Sequence, residues 1–159
     1  MAILQIEPES YSLRKNCSLI QKASQELKDL SQSMIETMQA HNGVGLAANQ
    51  INILKRIIVI LNPETQEIET YINPRILTKS NETSTALEGC LSFPNLQGEV
   101  ERAYKVTILA YDIDMKKVHI TAQGFYARIF QHEIDHLNGI SFTKRANKNT
   151  LITIDTTQE

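Results

Sequence analysis

The chain has 159 residues, 42% hydrophobic and 21% charged, with a net charge of −2. That length fits one domain with a core able to fold without staples, and the charge balance leaves no broad basic face, so neither nucleic acid nor a membrane is an expected partner. No apolar run nears the roughly 18 residues that cross a bilayer. The start MAILQIEPESYSLRK lacks a signal-peptide core, and Glu7 and Glu9 argue against an acid-poor transit peptide. The expected address is the cytoplasm, where Cys17 and Cys90 remain thiols.

Residues 21–41 read as an amphipathic helix, because Leu27, Leu30, Met34, Ile35 and Met38 recur at spacings of three and four. His41, Asn42 and Gly43 stop it. GVGLAANQ follows, from Gly43 to Gln50. It lacks the spacing of a phosphate loop and follows a helix instead of a strand. Two readings stay open for it. It is a pocket wall whose glycines offer backbone groups to an extended peptide, or a tight connection with Ala47 and Ala48 packed inside. RIIVIL, residues 56–61, predicts a buried strand, and residues 68–72 a second one, ended by Asn73 and Pro74. Residues 78–85 are polar and read as a loop. Residues 100–112 predict a strand from the alternation of Val106, Ile108 and Ala110, with a turn over 112–117 and a returning strand over 118–122. Residues 124–137 return to a helical pattern, with Gly139 just past its end. The tail 146–159 is polar and carries no assignable element. The expected architecture is α+β, one domain over 1–159, with small mixed or antiparallel sheets packed around a central helix and an N-terminal amphipathic helix.

The sharpest chemical signal is His132-Glu133-Ile134-Asp135-His136. On a helix, residues four apart share a face, so His132 and His136 can hold one metal ion, with Glu133 beside the open coordination position as general base. A catalytic centre of this type needs a third protein ligand. The extended motif with a third histidine fails at Phe142, and the only later glutamate is Glu159. The third ligand is therefore expected upstream, among Cys17, His41, Cys90 and His119. Cys90 is favoured by its setting in Glu88-Gly89-Cys90-Leu91-Ser92-Phe93-Pro94, where Gly89 permits close backbone approach and Pro94 fixes the exit. The bland alternative is a buried structural cysteine. Gln131 and Asp135 flank the histidines, and Asp135 is expected either to orient one of them or to face solvent.

Taken together and in this order, GVGLAANQ, EGCLSFP and QHEIDHLNG closely resemble the three signature motifs of the peptide deformylases. The resemblance runs over roughly residues 3–145. It implies a hydrolase that removes the formyl group from the formyl-methionine of newly made polypeptides and releases formate. It implies metal ligands at Cys90, His132 and His136, a general base at Glu133, and oxyanion donors from the Gln50 amide and the Leu91 N–H. Substrate backbone would pair near Val44, Gly45 and Gly89, with Phe125 and Ile129 joining Val44 around the methionine side chain. One divalent ion per chain is implied, Fe²⁺ foremost, with Zn²⁺, Ni²⁺ or Co²⁺ as substitutes.

The chain departs from the family pattern in three places. Tyr11-Ser12 replaces the usual Asp-Pro before Leu-Arg, Phe93 stands where many members carry Ile, and residues 95–99 are unusual. The last two bear on substrate preference and not on the chemistry. Many bacterial members continue into a basic C-terminal helix associated with the ribosome, whereas this chain closes on LITIDTTQE, so ribosome association is expected to be weak. Two other readings compete: a zinc peptidase cutting internal bonds, and a catalytically silent metal-binding or peptide-binding homologue. Intact Glu133 and Gln50 argue against the second.

Overall fold

The computed structural model describes residues 3–6 and 11–154, so Glu7, Glu9 and the end of the polar tail lie outside the described residues. The first helix, α1, spans Gln25–Ala40. It starts four residues later than its apolar periodicity suggests, because Ser24 caps it: the Ser24 Oγ accepts from the Leu27 N–H at 3.0 Å. It stops where Asn42 turns into the left-handed region at φ 55°.

Five strands form the larger sheet: β1 (Gly45–Ala47), β2 (Ile57–Leu61), β3 (Ile68–Lys79), β6 (Lys105–Tyr111) and β7 (Lys117–Gln123), adjacent in that order. Three more form the smaller sheet: β4 (Thr83–Cys90), β5 (Phe93–Ala103) and β8 (Ile152–Thr153). Every ladder is antiparallel. Among the described residues the one parallel pairing is the isolated bridge between Ser18 and Lys55. The sheets are thus antiparallel, not mixed.

The second long helix, α2 (Phe125–Leu137), packs on one face of the larger sheet and α1 on the other. This explains the unbroken apolar run of β2. Ile58 and Ile60 meet Ile129, Phe130 and Ile134 of α2, while Ile57 and Val59 join Leu27, Met34 and Met38 of α1. A third cluster, around Val100, Phe142 and Ala146, lies under the smaller sheet. Eleven of the thirteen residues of α2 are buried, so its polar side chains must be satisfied from within the domain. No helix among the described residues is long and apolar enough to cross a membrane.

Three strand limits differ from the sequence pattern. Asn73 and Pro74 do not end β3. Asn73 takes φ 50° inside a register shift between Ile72 and Arg75, which lets the proline sit where no ladder donor is needed. The Asn73 amide also exchanges hydrogen bonds with the Ile20 backbone, tying the N-terminal arm to the sheet. Residues 78–85 are mostly strand, since their polar side chains lie on exposed faces of β3 and β4. The expected strand over 100–112 is two strands, broken at Tyr104 where the chain leaves the smaller sheet for the larger. Pro94 accordingly lies within β5, not at an exit.

Candidate metal centre

The two motif histidines sit one turn apart on α2, with their Nε2 atoms 3.2 Å apart. Cys90, at the end of β4, places its Sγ 3.2 Å from the His136 Nε2. All three donor atoms lie within 4.8 Å of one another. Two nitrogens bound tetrahedrally at about 2.1 Å would be about 3.4 Å apart, close to the separation found here. One sulfur and two imidazoles form a donor set suited to a borderline divalent ion.

The electrostatics point the same way. Burial pushes His136 well below the usual histidine range, and the charges of His132 and Arg102 add to the effect. His136 is therefore neutral, with a lone pair free to ligate. Burial also opposes protonation of His132, but hydrogen bonds to Cys90 and Glu88 and the charge of Glu133 raise it well above the ordinary value. A proton on His132 thus compensates the negative groups that a cation between the three donors would compensate.

Glu88 orients the first histidine. Its Oε1 lies 2.8 Å from the His132 Nδ1, which leaves Nε2 facing the centre. The same carboxylate accepts from the Arg102 Nε (2.9 Å), the Arg102 Nη2 (2.8 Å) and the Arg128 Nη1 (2.6 Å). Burial alone would raise Glu88, but hydrogen bonds from Arg102 and His132 hold it well below the usual carboxylate range. Asp135 orients no histidine and does not face solvent. Its carboxylate accepts from the Arg102 Nη1 at 2.6 Å and the Arg145 Nε at 2.5 Å. Gln131 fastens α2 to β5, exchanging hydrogen bonds with the Ala103 backbone.

Glu133 is buried beside the centre, its Oε2 4.0 Å from the His132 Nε2 and its Oε1 without a hydrogen-bond partner among the described residues. Burial pushes its carboxyl up to about 7. Gln50 lies in the 3-10 turn Ala48–Ile51. The Ala47 N–H donates to the Gln50 Oε1 at 2.9 Å, which leaves the Nε2 amide 3.3 Å from the Cys90 Sγ and 3.2 Å from the Ser92 Oγ. Its orientation is set before any substrate arrives.

A pocket of about 570 Å³ opens onto the centre. Val44, Gly45, Gly89, Leu91, Phe125 and Ile129 all line it, together with Cys90, His132 and Glu133. Gln50 and His136 stand behind this wall, at 1% and 0% exposure. Phe125, 54% exposed, is at the rim, whereas Ile129, 4% exposed, is deep. β1 is an edge strand, paired on one side only with β2, so its second edge offers backbone groups to an extended chain. Ala47 and Ala48 are fully buried, as a tight packed connection requires, while Gly43, Val44 and Gly45 of the same segment line the pocket. The other candidate ligands, Cys17, His41 and His119, are not part of the donor cluster. Sequence reasoning missed the roles of Glu88 and Arg128. A basic residue on the buried face of α2, one turn before His132, was the available signal.

A polypeptide deformylase family profile matches residues 1–151. A peptide deformylase of Desulforudis audaxviator is 42% identical over 147 residues, covering 92% of this chain and 95% of that protein. The crystal structure of the Thermotoga maritima peptide deformylase superposes with a TM-score of 0.89 at 36% identity, over 92% of this chain and 99% of the other. A class I type b peptide deformylase of Acinetobacter baumannii, in a Met-Ala-Ser-bound structure, superposes with a TM-score of 0.86 at 36% identity, over 91% and 98%.

Proposed function

The chain belongs to the peptide deformylase family, metal-dependent hydrolases that take the formyl group from the formyl-methionine of new polypeptides, and we propose that Cys90, His132 and His136 hold its metal while Glu133 moves the proton. The observation that carries this assignment is the convergence of three donor atoms within 4.8 Å beside a buried carboxylate. Fe²⁺ is the proposed ion, and Zn²⁺, Ni²⁺ or Co²⁺ suit the same donors. When bound, the ion supplies Lewis-acid activation, bringing the pKa of water towards neutrality.

The remaining chemistry belongs to the side chains. Glu133 accepts the proton of the attacking water and returns it to the departing amine. The Gln50 Nε2 and the Leu91 N–H donate to the oxyanion that forms at the formyl carbon, and one such donor is typically worth about 2.7–4 kcal/mol. The substrate backbone lies along Val44 and Gly45 on the β1 edge and against Gly89 of β4. Its methionine side chain enters between Val44, Phe125 and Ile129. Residues 1–159 act as one catalytic domain in the cytoplasm.

The test is formate release from formyl-Met-Ala-Ser, with protein loaded anaerobically with Fe²⁺ and, in parallel, with Zn²⁺. Release that disappears in Cys90→Ala is expected. No release with either ion, at one ion bound per chain, would overturn the assignment.

A further inference from the structure

Beyond the last histidine, the short helix α3 (Phe142–Arg145) lies outside all three sequence motifs, yet contacts from both of its ends lead to His132. At its start, Phe142 is 1% exposed, and its ring lies nearly parallel to that of His132, at 20° with centroids 6.1 Å apart. Phe93, on the pocket wall, meets Phe142 edge to face at 89° and 5.8 Å. Phe142 occupies the position at which the extended motif would place a third histidine. Here that position supplies a flat apolar wall to the first histidine in place of a ligand.

At the other end of α3, the Arg145 Nε donates to the Asp135 Oδ2 at 2.5 Å and the Nη2 to the Oδ1 at 3.0 Å. The Arg102 Nη1 donates to the same Asp135 Oδ2 at 2.6 Å, while the Arg102 Nε and Nη2 hold Glu88 at 2.9 and 2.8 Å. The Glu88 Oε1 in turn lies 2.8 Å from the His132 Nδ1. An unbroken alternation of cation and carboxylate thus runs from Arg145, whose side chain is 41% exposed, to the ring of the first histidine. Asp135 and Glu88 both draw on the single Arg102 guanidinium. Arg145 meets part of the demand of Asp135, which leaves Arg102 two donors for Glu88. Without Arg145, Asp135 would pull Arg102 towards itself and slacken the carboxylate that orients His132.

We propose that α3 positions His132 for the metal from outside the motifs: Phe142 limits the tilt of the ring, and Arg145 steadies Asp135 and, through it, Arg102 and Glu88. A hydrogen bond at Nδ1 sets where the imidazole points but leaves it free to tilt about that contact, and a flat neighbour takes the tilt away. The two contacts are therefore complementary. Phe142 and Arg145 are positioning residues, since neither offers a ligand atom to the donor cluster. The proposal rests on the reading of Cys90, His132 and His136 as the metal ligands.

The experiment measures Zn²⁺ affinity of the full-length protein by chelator competition, beside urea unfolding of the metal-free form. Phe142→Leu is expected to weaken binding about tenfold, the scale for partners that orient a ligand. Arg145→Ala acts through more links and should weaken it about fivefold, within the range by which residues remote from a ligand modulate it. Met34→Ala, in the α1 cluster on the opposite face of the larger sheet, should lower stability and leave the affinity unchanged. In a Glu88→Gln background the Arg145→Ala effect should vanish while the Phe142→Leu effect remains, because only the first travels through Glu88. An affinity unchanged in either α3 variant overturns the proposal. So does an equal loss in Met34→Ala, or an Arg145→Ala effect undiminished by Glu88→Gln. If the wild-type protein binds no divalent ion, the metal reading itself fails; if it binds one ion that the α3 variants hold as tightly, only the role of α3 fails.

Discussion

The carboxylate of Glu133 rests against the bare Cα of Gly45: a Cβ at that position would fall 2.6 Å from the Glu133 Oε2 and 2.9 Å from its Cγ. The backbone at Gly45 is not in the left-handed region, so the glycine is needed there for room and not for conformational freedom. Gly45→Ala must displace the Glu133 carboxylate, the proposed general base, and a misplacement of about 1 Å can cost on the order of 10²-fold in rate. The expected result is a fall of that size in kcat with metal content unchanged, read by formate release beside metal analysis. Loss of bound metal instead would show that the substitution disturbs the ligands and not the base.

Glu88 stands between two guanidinium groups and a histidine, so its removal should be felt twice. Glu88→Ala leaves Arg128 and one fork of Arg102 buried without their carboxylate, a defect typically costing about 3–5 kcal/mol. Urea unfolding measures that loss. Glu88→Gln keeps the shape but weakens the hold on His132, and metal affinity should drop about 10–100-fold in a chelator competition. Unchanged affinity would mean that the helix alone orients His132.

The parts of the site legible in the sequence are those that local geometry dictates. His132, Glu133 and His136 share one helix, so spacing alone relates them, and the bare apolar run of β2 announces a strand buried on both faces. The Glu88 contact with His132 spans 44 residues and exists only because β4 crosses α2, so no local pattern encodes it. Asp135 departs from its local pattern for the converse reason. It adjoins His136 in sequence, but the helix turns it towards Arg102 and Arg145. The polar strands at 78–85 and the tail were obscured because an exposed face, or a strand held mainly by its backbone, leaves little apolar signature.

The two thiols should differ in reactivity. Cys17 is 6% exposed, and burial pushes it up to about 11 although Arg56 pulls the other way. It therefore stays protonated and unreactive at pH 8. Cys90 is half-buried and opens onto the pocket. Iodoacetamide on metal-free protein should modify Cys90 alone, and loading with Zn²⁺ should protect it, as read by peptide mass spectrometry. Equal labelling of both cysteines, or no protection by the ion, would contradict Cys90 as a ligand.

Glu133 makes the metal-free protein sensitive to pH in a direction its burial fixes. Its carboxyl rises from the ordinary 4.5 to about 7 on folding. The native state therefore holds this proton more tightly than the unfolded chain does. Stability from this group is fully present below pH 4.5 and is lost as pH rises towards 7, by an amount on the order of 3 kcal/mol. Glu133→Gln removes the titration. The variant should match wild type near pH 4.5 and unfold at a higher temperature at pH 8, both measured without metal. A divalent ion at the neighbouring donors favours the carboxylate form, so loading should narrow the gap. If the metal-free variant gains nothing at pH 8, burial does not penalise the charged Glu133, and its proposed part in moving a proton near neutrality loses this support.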